Sequence, residues 1–396
     1  MLYRTDLKSG NKLSIIGFGC MRFPRNVTQI DLNRTEQIIV KAIQEGVNYF
    51  DTAYSYSGSE ETLGAILAKN KIRNKIFIAT KLPLGKCRMY DDFELLFQTQ
   101  LKRLQTDYID YYLMHNISDI HSWQRLCDLG IEKWIQGKKE SGQIRQIGFS
   151  FHGIYNEFIK LLDAYDWDFC QIQYNYLNIN YQAGAAGLKK AAGKGLSVMI
   201  MEPLLGGKLA TGLPAKAVDI LKTANSALTP AAWALRWLWN QKEVTVAISG
   251  MNEMSQLAEN ITTAQNAVPD MLTTTEIGTI ESVLRSIETA YKIPCTGCNY
   301  CLPCPHNVNI PACFTAYNAS HIVGKISGFH LYVTSVGLLN PHKNLAASNC
   351  KACGACEKKC PQHIAVIKSL KKVSKRMEPF WLRVALNVYM KLTGFK

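Results

Sequence analysis

The sequence lacks several features that define common protein classes. Its 396 residues include only 19% charged residues, and no apolar run approaches the roughly 18 residues that a membrane-spanning helix needs. The amino terminus has no apolar stretch of the kind found in secretory signal peptides. A hydrophobic content of 47% is ordinary for a globular chain and excludes intrinsic disorder, collagen and long coiled coil. We therefore expect a soluble cytoplasmic protein with roughly two to three domains.

Acidic residues are almost absent from the end of the chain. From residue 291 onward only Glu357 and Glu378 oppose 12 lysines and 2 arginines, so this part carries +12 of the total charge of +14. The same part contains nine of the 13 cysteines, all between Cys295 and Cys360. An odd cysteine count without an export signal argues against disulfides and indicates metal or redox chemistry.

These changes in composition divide the chain near residue 290. We predict a large barrel domain over 1–285, a cysteine-rich metal-binding domain over 290–372 and a basic amphipathic helix over 373–396. The apolar residues of the last segment recur at intervals of four after Pro379. Packing of this helix against the protein is the simplest interpretation, and peripheral contact with a membrane or a partner is the alternative.

The first 290 residues alternate short apolar runs with amphipathic segments. A helical stripe between two runs, as over 31–45, is typical of an α/β fold with buried parallel strands. Eight such strands in about 250 residues favour a (β/α)₈ TIM barrel over a doubly wound sheet, because the segment Gly17-Phe18-Gly19 lacks the third glycine of a dinucleotide-binding loop. The predicted strands are 15–18, 47–50, 76–79, 109–113, 144–149, 169–172, 196–200 and 244–248.

Ionisable residues follow three consecutive predicted strands. Asp51, Lys81 and His115 end the second, third and fourth strands, and Tyr56 lies in the loop after Asp51. The carboxyl ends of barrel strands carry the active site in this fold. A phenol can protonate a carbonyl oxygen that gains hydride, and a nearby ammonium would ease its ionisation. We expect Tyr56 as the acid, Lys81 and Asp51 as its charged pair, and His115 as the donor that orients the carbonyl oxygen.

Residues 1 to about 265 resemble an aldo/keto reductase. The resemblance rests on Phe50-Asp51-Thr52-Ala53-Tyr54-Ser55-Tyr56, on Ala79-Thr80-Lys81 and on Asp110-Tyr111-Tyr112-Leu113-Met114-His115. All four members of that family's catalytic tetrad fall on matching positions. The resemblance implies an oxidoreductase that reduces a carbonyl or related small-molecule substrate.

The resemblance also implies a nicotinamide cofactor. Ser150 and Gln171 match the residues that hold the carboxamide, and Glu259 and Asn260 match the adenine-binding end.

The positions that clamp the 2′-phosphate of NADP(H) in this family depart from its pattern. They correspond here to Gly250, Met251 and Gln256, which offer neither a cation nor a hydroxyl. NAD(H) is therefore expected rather than NADP(H), with a flavin as a further candidate cofactor.

The cysteines form two regular runs. The first has spacings of two, two and two residues before Cys304-Pro305, and the second has two, two and three before Cys360-Pro361. The second run matches the bacterial ferredoxin pattern, and the first is one residue shorter. Two zinc sites are the alternative, but such sites seldom repeat three regular intervals before Cys-Pro. We predict two [4Fe–4S] clusters.

In two-cluster ferredoxins the fourth cysteine of each run ligates the other cluster. This rule predicts one cluster held by Cys295, Cys298, Cys301 and Cys360. It predicts a second held by Cys350, Cys353, Cys356 and Cys304. The remaining cysteines, including Cys313, are expected to be small buried residues.

The two halves together resemble the subgroup of aldo/keto reductases with a carboxy-terminal ferredoxin-type domain, which suits a low-oxygen cell. Hydride transfer moves two electrons, whereas each cluster passes one at a time. The clusters could feed a one-electron acceptor, act on a substrate that tolerates radicals, or only stabilise the fold beside a nicotinamide-dependent reductase. A non-catalytic barrel serving electron transfer or binding is a further alternative.

Two oxidised clusters leave the basic part with a charge of about +8, which indicates an acidic ferredoxin or flavodoxin as partner. Nucleic acid is a weaker alternative, because the lysines are scattered between the cysteines.

Overall fold

The computed structural model describes residues 1–381 except positions 28, 154, 181, 296, 298, 299, 323, 337, 339–343 and 361. The chain forms two compact units. The first comprises Met1–Ala210 and Leu228–Thr275, and the second comprises Thr211–Ala227 and Glu276–Lys396. The second unit thus begins before residue 290. The change in composition marks where the cysteines and lysines start, whereas the units are set by packing.

The first unit contains the predicted barrel. In the described part of the chain, eight parallel strands close into a ring in which β1 pairs with both β2 and β8. Each strand lies within a few residues of its predicted position. The strands are β1 Ile16–Gly19, β2 Tyr49–Asp51, β3 Phe77–Leu82, β4 Ile109–Ile117, β5 Ile144–Phe151, β6 Phe169–Gln173, β7 Ser197–Met201 and β8 Val244–Ser249.

Helices connect successive strands around the barrel. The helix after β1 begins where the Asp31 side chain accepts a hydrogen bond from Arg34 N, as the sequence predicts for a capping aspartate. The helices of this unit are α1 Leu32–Gln44, α2 Ser59–Asn70, α3 Tyr90–Leu104, α4 Ile120–Asp128, α5 Ile131–Glu140, α6 Tyr155–Ala164, α7 Gly184–Gly193, α8 Lys208–Thr211, α10 Pro230–Trp239 and α11 Met254–Ala264, with α9 Ala215–Ala224 in the second unit.

Large side chains from alternate strands fill the barrel. Tyr49, Tyr111 and Phe169 are fully buried in one cluster, and Tyr111 meets the other two rings edge to face. Gly17 leaves room for this packing, because an added Cβ would lie 2.8 Å from a methyl carbon of Val246. The strands Tyr3–Thr5 and Lys12–Ser14 form a hairpin at the amino-terminal end of the barrel. The opposite, carboxyl end of the strands remains for chemistry.

The second unit is helical. It contains α12 Thr274–Ala290, α13 Ile310–Ile322, α14 Lys325–Ser335, α15 Ala355–Lys359 and α16 Val366–Met377. Its core joins apolar residues of α13, α14 and α16. The first residues of the predicted segment 373–396 belong to α16, which begins earlier, and residues 382–396 lie outside the described part. No helix in the described residues is long and apolar enough to span a membrane.

Candidate active site and cluster cavity

A buried ion pair lies at the carboxyl end of the barrel strands. Lys81 Nζ is 2.6 Å from Asp51 Oδ1 and 2.7 Å from the carbonyl oxygen of Thr52. Gln171 Nε2, from β6, donates to the other oxygen of Asp51 at 2.8 Å. Lys81 is 1% and Asp51 5% exposed. The neighbouring strands β2 and β3 therefore hold one ammonium and one carboxylate in a fixed arrangement.

Tyr56 lies above this pair in the loop between β2 and α2. Lys81 Nζ is 5.1 Å from the centre of its ring. The loop is closed at its base, where the hydroxyls of Thr52 and Ser59 are 2.8 Å apart and Ser59 Oγ donates to Cys20 O. The tyrosine hydroxyl is thus carried by an anchored loop.

The pKa of Tyr56 depends on opposing effects. The charge of Lys81 has the largest single effect and lowers this pKa, but burial and the negative charge of Asp51 raise it further. Lys81 thus eases ionisation of Tyr56 as expected, but burial and Asp51 outweigh it, so the pKa of Tyr56 in the free site is raised. Burial lowers the pKa of Lys81, but Asp51 and Tyr56 raise it by more. The pKa of Lys81 is therefore raised, and the side chain stays an ammonium. The site holds a protonated phenol beside a cation.

His115 completes the group from a bulge in β4. Its ring meets the Tyr56 ring edge to face, with centres 5.9 Å apart. The pairing of β4 with β5 shifts between Met114 and Ile117, and Asn116 has a positive φ of 55°. Ser150 Oγ accepts a hydrogen bond from Asn116 N at 2.7 Å. A bulge re-aims the side chain it carries, so this contact fixes where His115 points.

Two histidines are held neutral at this end of the barrel. Burial, the charge of Lys81 and His152 lower the pKa of His115 to about 3. Burial and Lys81 also lower the pKa of His152, against a hydrogen bond to Gln182 that raises it. His152 was not predicted from the sequence, although it lies one residue beyond β5 and two residues after Ser150.

Gln173 is a second residue of this site that was not predicted from the sequence. It is 1% exposed, and both its amide nitrogen and its oxygen lack a hydrogen-bond partner among the described residues. It follows Gln171 by two residues on β6, so strand alternation directs both side chains to one face. Unpaired buried amides are costly, which makes Gln173 a candidate contact for a bound ligand.

The predicted adenine-binding residues lie on α11. Asn260 is buried and donates from Nδ2 to Ser249 Oγ at 3.3 Å, and Glu259 accepts from the Thr229 hydroxyl. Met251 is buried, and Gln256 accepts from the amide of Asn252. Each of these hydrogen bonds engages one polar atom of the side chain concerned, Asn260 Nδ2, Glu259 Oε1 or Gln256 Oε1.

The side chain of Arg22 lies near Gly250, one of the positions at which the sequence offers no cation for a 2′-phosphate. The side chain of Arg22 passes Gly250, where an added Cβ would lie 3.8 Å from it. Arg22 also donates to the carbonyl oxygen of Gly206 at 3.0 Å. The pairing of β1 with β8 closes the barrel and brings Arg22 to Gly250. The guanidinium of Arg22 therefore lies at Gly206, and only the aliphatic part of this side chain borders Gly250.

A cavity in the second unit collects cysteines from both runs. Its volume is about 290 Å³. Ala352 N donates to Cys350 Sγ at 3.4 Å, so a backbone amide points at a ligand sulfur. Among the described residues, no three cysteine, histidine or acidic side chains form a site for a single metal ion. The cysteines that line the cavity are Cys301, Cys304, Cys350, Cys353 and Cys356.

This arrangement brings together most of one predicted ligand set. Cys304 lies with the three cysteines of the second run, as the crossed pattern requires, although Cys301 of the other predicted set lines the same cavity. Cys295 and Cys360 do not line it, and Cys298 lies outside the described residues. The ligand assignment stays a prediction.

Buried polar groups hold the segments that precede the two cysteine runs. Asn318 of α13 accepts from the amides of Lys292 and Ile293 and donates to Ile293 O at 2.7 Å. Tyr332 of α14 donates to Glu378 Oε1 at 2.5 Å and accepts from Ala347 N at 2.8 Å. The chain therefore enters each run from a fixed point.

The remaining cysteines are packed in the protein. Burial raises the pKa of Cys87 and Cys313 to about 12 and that of Cys127 to about 11. Cys20 and Cys170 are fully buried in the barrel core. Of these five, four are buried and Cys127 is partly buried, as expected for small core residues.

Comparison with known proteins identifies both units. Residues 15–285 match the aldo/keto reductase family, and residues 294–365 match a 4Fe-4S dicluster domain. An aldo-keto reductase of Mycolicibacterium smegmatis is 30% identical over 152 residues, which cover 37% of this chain and 49% of that protein. The chain thus spans about half the length of this relative.

Two solved structures share the barrel. The holo form of an aldo-keto reductase from Bacillus halodurans has a TM-score of 0.58 and 25% identity, covering 72% of this chain and 96% of that one. An aldo/keto reductase from Klebsiella pneumoniae in complex with NADP and acetate has a TM-score of 0.59 and 22% identity with the same coverage. The chain therefore belongs to the aldo/keto reductase family of oxidoreductases and carries a 4Fe-4S dicluster domain after its barrel.

Proposed function

We propose that the protein reduces the carbonyl group of a small molecule in its barrel and takes up electrons through two [4Fe–4S] clusters. The observation that carries the first part is the buried Lys81–Asp51 pair beneath Tyr56, with His115 beside the same ring. A buried charge pair rarely stabilises a fold, so its presence beneath the Tyr56 hydroxyl favours a catalytic barrel over a non-catalytic one.

The residues divide the work on a carbonyl oxygen. Neutral His115 donates a hydrogen bond that orients the oxygen and stabilises its growing negative charge. Tyr56, protonated in the free site, gives its proton to that oxygen, and Lys81 stabilises the phenolate that remains. Asp51 keeps Lys81 in place and charged. Two electrons and two protons convert the carbonyl to an alcohol, and Tyr56 delivers one of these protons.

A nicotinamide suits the polar groups at the strand ends and, when bound, would supply hydride to the carbonyl carbon in the alternative, nicotinamide-dependent reaction. Ser150, Gln171 and Gln173 are all buried there. The unpartnered amide of Gln173 offers the donor and acceptor that match a carboxamide. We infer that Gln173 shares this role with Ser150 and Gln171, while Glu259 and Asn260 contact the adenine end.

The choice between the two nicotinamides rests on opposing observations. The departures at Gly250, Met251 and Gln256 favour NAD(H), and this preference stays a prediction. Arg22 passes Gly250 with its aliphatic carbons and carries its guanidinium to Gly206, where it offers a cation for a phosphate group, and a related structure contains NADP. A titration with NADH, NADPH and flavin mononucleotide decides among these cofactors.

The cavity lined by five cysteines suits a cluster, which supplies or accepts one electron at a time. Cys304, Cys350, Cys353 and Cys356 would hold this cluster, and Cys295, Cys298, Cys301 and Cys360 the other. The chain's own contribution is to fix the thiolates and aim amides such as Ala352 N at their sulfurs. A cytoplasmic, low-oxygen setting would suit such clusters and stays a prediction.

The test uses protein purified without oxygen. We expect about eight irons per chain and a spectrum of oxidised [4Fe–4S] clusters. We also expect the protein to reduce at least one member of a panel of aldehydes and ketones. Fewer than about six irons, or bound zinc, would contradict the two-cluster assignment. Turnover with NADPH or NADH while the clusters stay silent would support the alternative, a nicotinamide-dependent reductase with structural clusters.

A further inference from the structure

We propose that the second unit presents a lysine-rich docking surface for a small acidic one-electron carrier protein. This inference rests on the proposed role of the clusters in electron uptake. The docking surface consists of two groups of exposed lysines. The rim group is Lys351, Lys358 and Lys359, and the helix group is Lys368, Lys371, Lys372 and Lys375.

The helix group covers the outer face of α16. The buried residues of this helix are Val366, Leu370, Val373 and Met377. At about 100° per residue these four form one stripe, and the four lysines lie on the opposite side of the helix. Ile367 and Leu370 of the same helix line the cysteine cavity. One short helix thus faces the cavity on one side and carries positive charge on the other.

The rim group surrounds the most accessible cysteine of the cavity. Cys353 is exposed, as are Lys351 and Ala352 before it. Lys351 and Lys359 line the cavity together with Cys353. A partner that contacts these lysines would therefore meet the edge of the site where a thiolate reaches the surface. This proximity favours electron transfer over a binding role unrelated to the clusters.

The two acidic residues of this part of the chain are engaged in hydrogen bonds within the protein. Glu357 Oε1 accepts a hydrogen bond from Ile367 N at 2.9 Å, so its charge sits at the start of α16. Glu378 is 7% exposed and accepts from Tyr332 and from Ser348 N. No other acidic residue occurs after residue 290. Seven exposed lysines thus outnumber two acidic side chains, of which Glu378 is buried and Glu357 is partly exposed.

Charge complementarity selects an acidic protein as the occupant. A surface of one sign steers a partner of opposite sign and raises the association rate, and the effect falls with salt. Within the described part of the chain, Arg376 donates to the hydroxyl and carbonyl oxygens of Ser320 at 2.7 and 3.1 Å, so its guanidinium is engaged within the protein. Nucleic acid binding, which bidentate arginines often assist, is the competing outcome of the test.

The experiment compares binding of a purified acidic bacterial ferredoxin to three forms of the intact, cluster-loaded protein. The forms are wild type, Lys371→Glu/Lys372→Glu and the control Lys102→Glu/Lys133→Glu. The control reverses two exposed lysines on α3 and α5 of the barrel, so it changes net charge equally. Biolayer interferometry gives the Kd at several salt concentrations, and stopped-flow absorbance gives the rate of cluster reduction.

We expect the first double variant to weaken ferredoxin binding and slow cluster reduction at least about tenfold at low salt, with the control near wild type. The difference should vanish at 0.5 M salt, where the screening length is about 4 Å. Equal effects of the two double variants, no salt dependence, or tighter binding of a short DNA duplex than of ferredoxin would overturn the proposal. Dithionite separates the two claims: clusters that it cannot reduce refute electron uptake, whereas the binding data still decide the docking surface.

Discussion

Lys81 Nζ lies 2.6 Å from Asp51 Oδ1, and both side chains are almost fully buried at the carboxyl end of the barrel. Asp51 also accepts from Gln171, and Lys81 also donates to a backbone carbonyl. Both carboxylate oxygens of Asp51 and the ammonium of Lys81 therefore have hydrogen-bond partners within the protein. Such an arrangement keeps the lysine charged next to Tyr56.

This geometry predicts that the contribution of each charge to the free energy of unfolding depends strongly on the other charge. Asp51→Asn should leave a buried ammonium without its counter-charge and lower the free energy of unfolding by about 3–5 kcal/mol. The double variant Asp51→Asn/Lys81→Met removes both charges and should lose clearly less than the sum of the single changes. Urea unfolding of wild type, Asp51→Asn, Lys81→Met and the double variant measures this coupling. Additive losses would mean that the two charges do not interact.

The proposed acid predicts a specific loss of rate. Tyr56→Phe removes one hydroxyl and should lower kcat for carbonyl reduction at least about 100-fold, because proton transfer by a positioned group contributes that much. The Kd for nicotinamide should stay within about twofold, since Tyr56 is not among its predicted contacts. Tyr54→Phe is the control, because it removes a hydroxyl two residues away. Carbonyl reduction that survives in Tyr56→Phe would show that another group is the acid.

The buried neutral histidine predicts how stability changes with pH. The pKa of His115 is lowered from 6.5 to about 3, so between these values the unfolded chain binds a proton that the folded chain does not. Stability should therefore be intact above pH 6.5 and fall as the pH drops, by up to about 1.4 kcal/mol for each pH unit from this residue. His115→Gln should reduce the slope of unfolding free energy between pH 6.5 and 5. His121→Gln, which changes an exposed histidine of α4, is the control.

The position of Arg22 predicts its effect on cofactor choice. If its guanidinium pairs with the 2′-phosphate, Arg22→Gln should raise the Kd for NADPH about tenfold or more, the value of one charge-assisted hydrogen bond, and hardly change the Kd for NADH. Fluorescence titration under anaerobic conditions measures both. Arg25→Gln, three residues later and exposed, is the control. An equal loss for both nicotinamides would place Arg22 at a phosphate that the two cofactors share.

Crossed ligation predicts an unusual pattern of iron loss. Cys304→Ala and Cys353→Ala should each remove about four irons, because both serve the same cluster. The combination of the two should remove no more than either alone. Cys313→Ala, which changes a buried cysteine outside both runs, should keep about eight irons. Loss of both clusters in the double variant would show that Cys304 belongs to the cluster of its own run.

The barrel, its three strand-end residues and Tyr56 in the loop after Asp51 could be predicted because the signals are local. A run of apolar residues marks each strand, and the residue that follows it lies at one known end of the fold. Arg22 beside Gly250 could not be predicted in this way, since only ring closure brings β1 against β8. The effect of Lys81 on the pKa of Tyr56 could be predicted, but the net direction could not, because burial and Asp51 together outweigh Lys81. The boundaries of the second unit depend on how its helices pack, and the pattern of cysteines and lysines carries no information about this packing.

The central claim is that electrons from the clusters reach a carbonyl in the barrel. The most direct test mixes protein with dithionite-reduced clusters, freed of excess reductant, with a carbonyl that the protein reduces, without any nicotinamide. Stopped-flow absorbance then follows the clusters. The account predicts that the absorbance of oxidised clusters returns in wild type and that an alcohol forms, with both lost in Tyr56→Phe. Clusters that stay reduced in the wild-type protein, while NADPH or NADH alone supports alcohol formation, would contradict it.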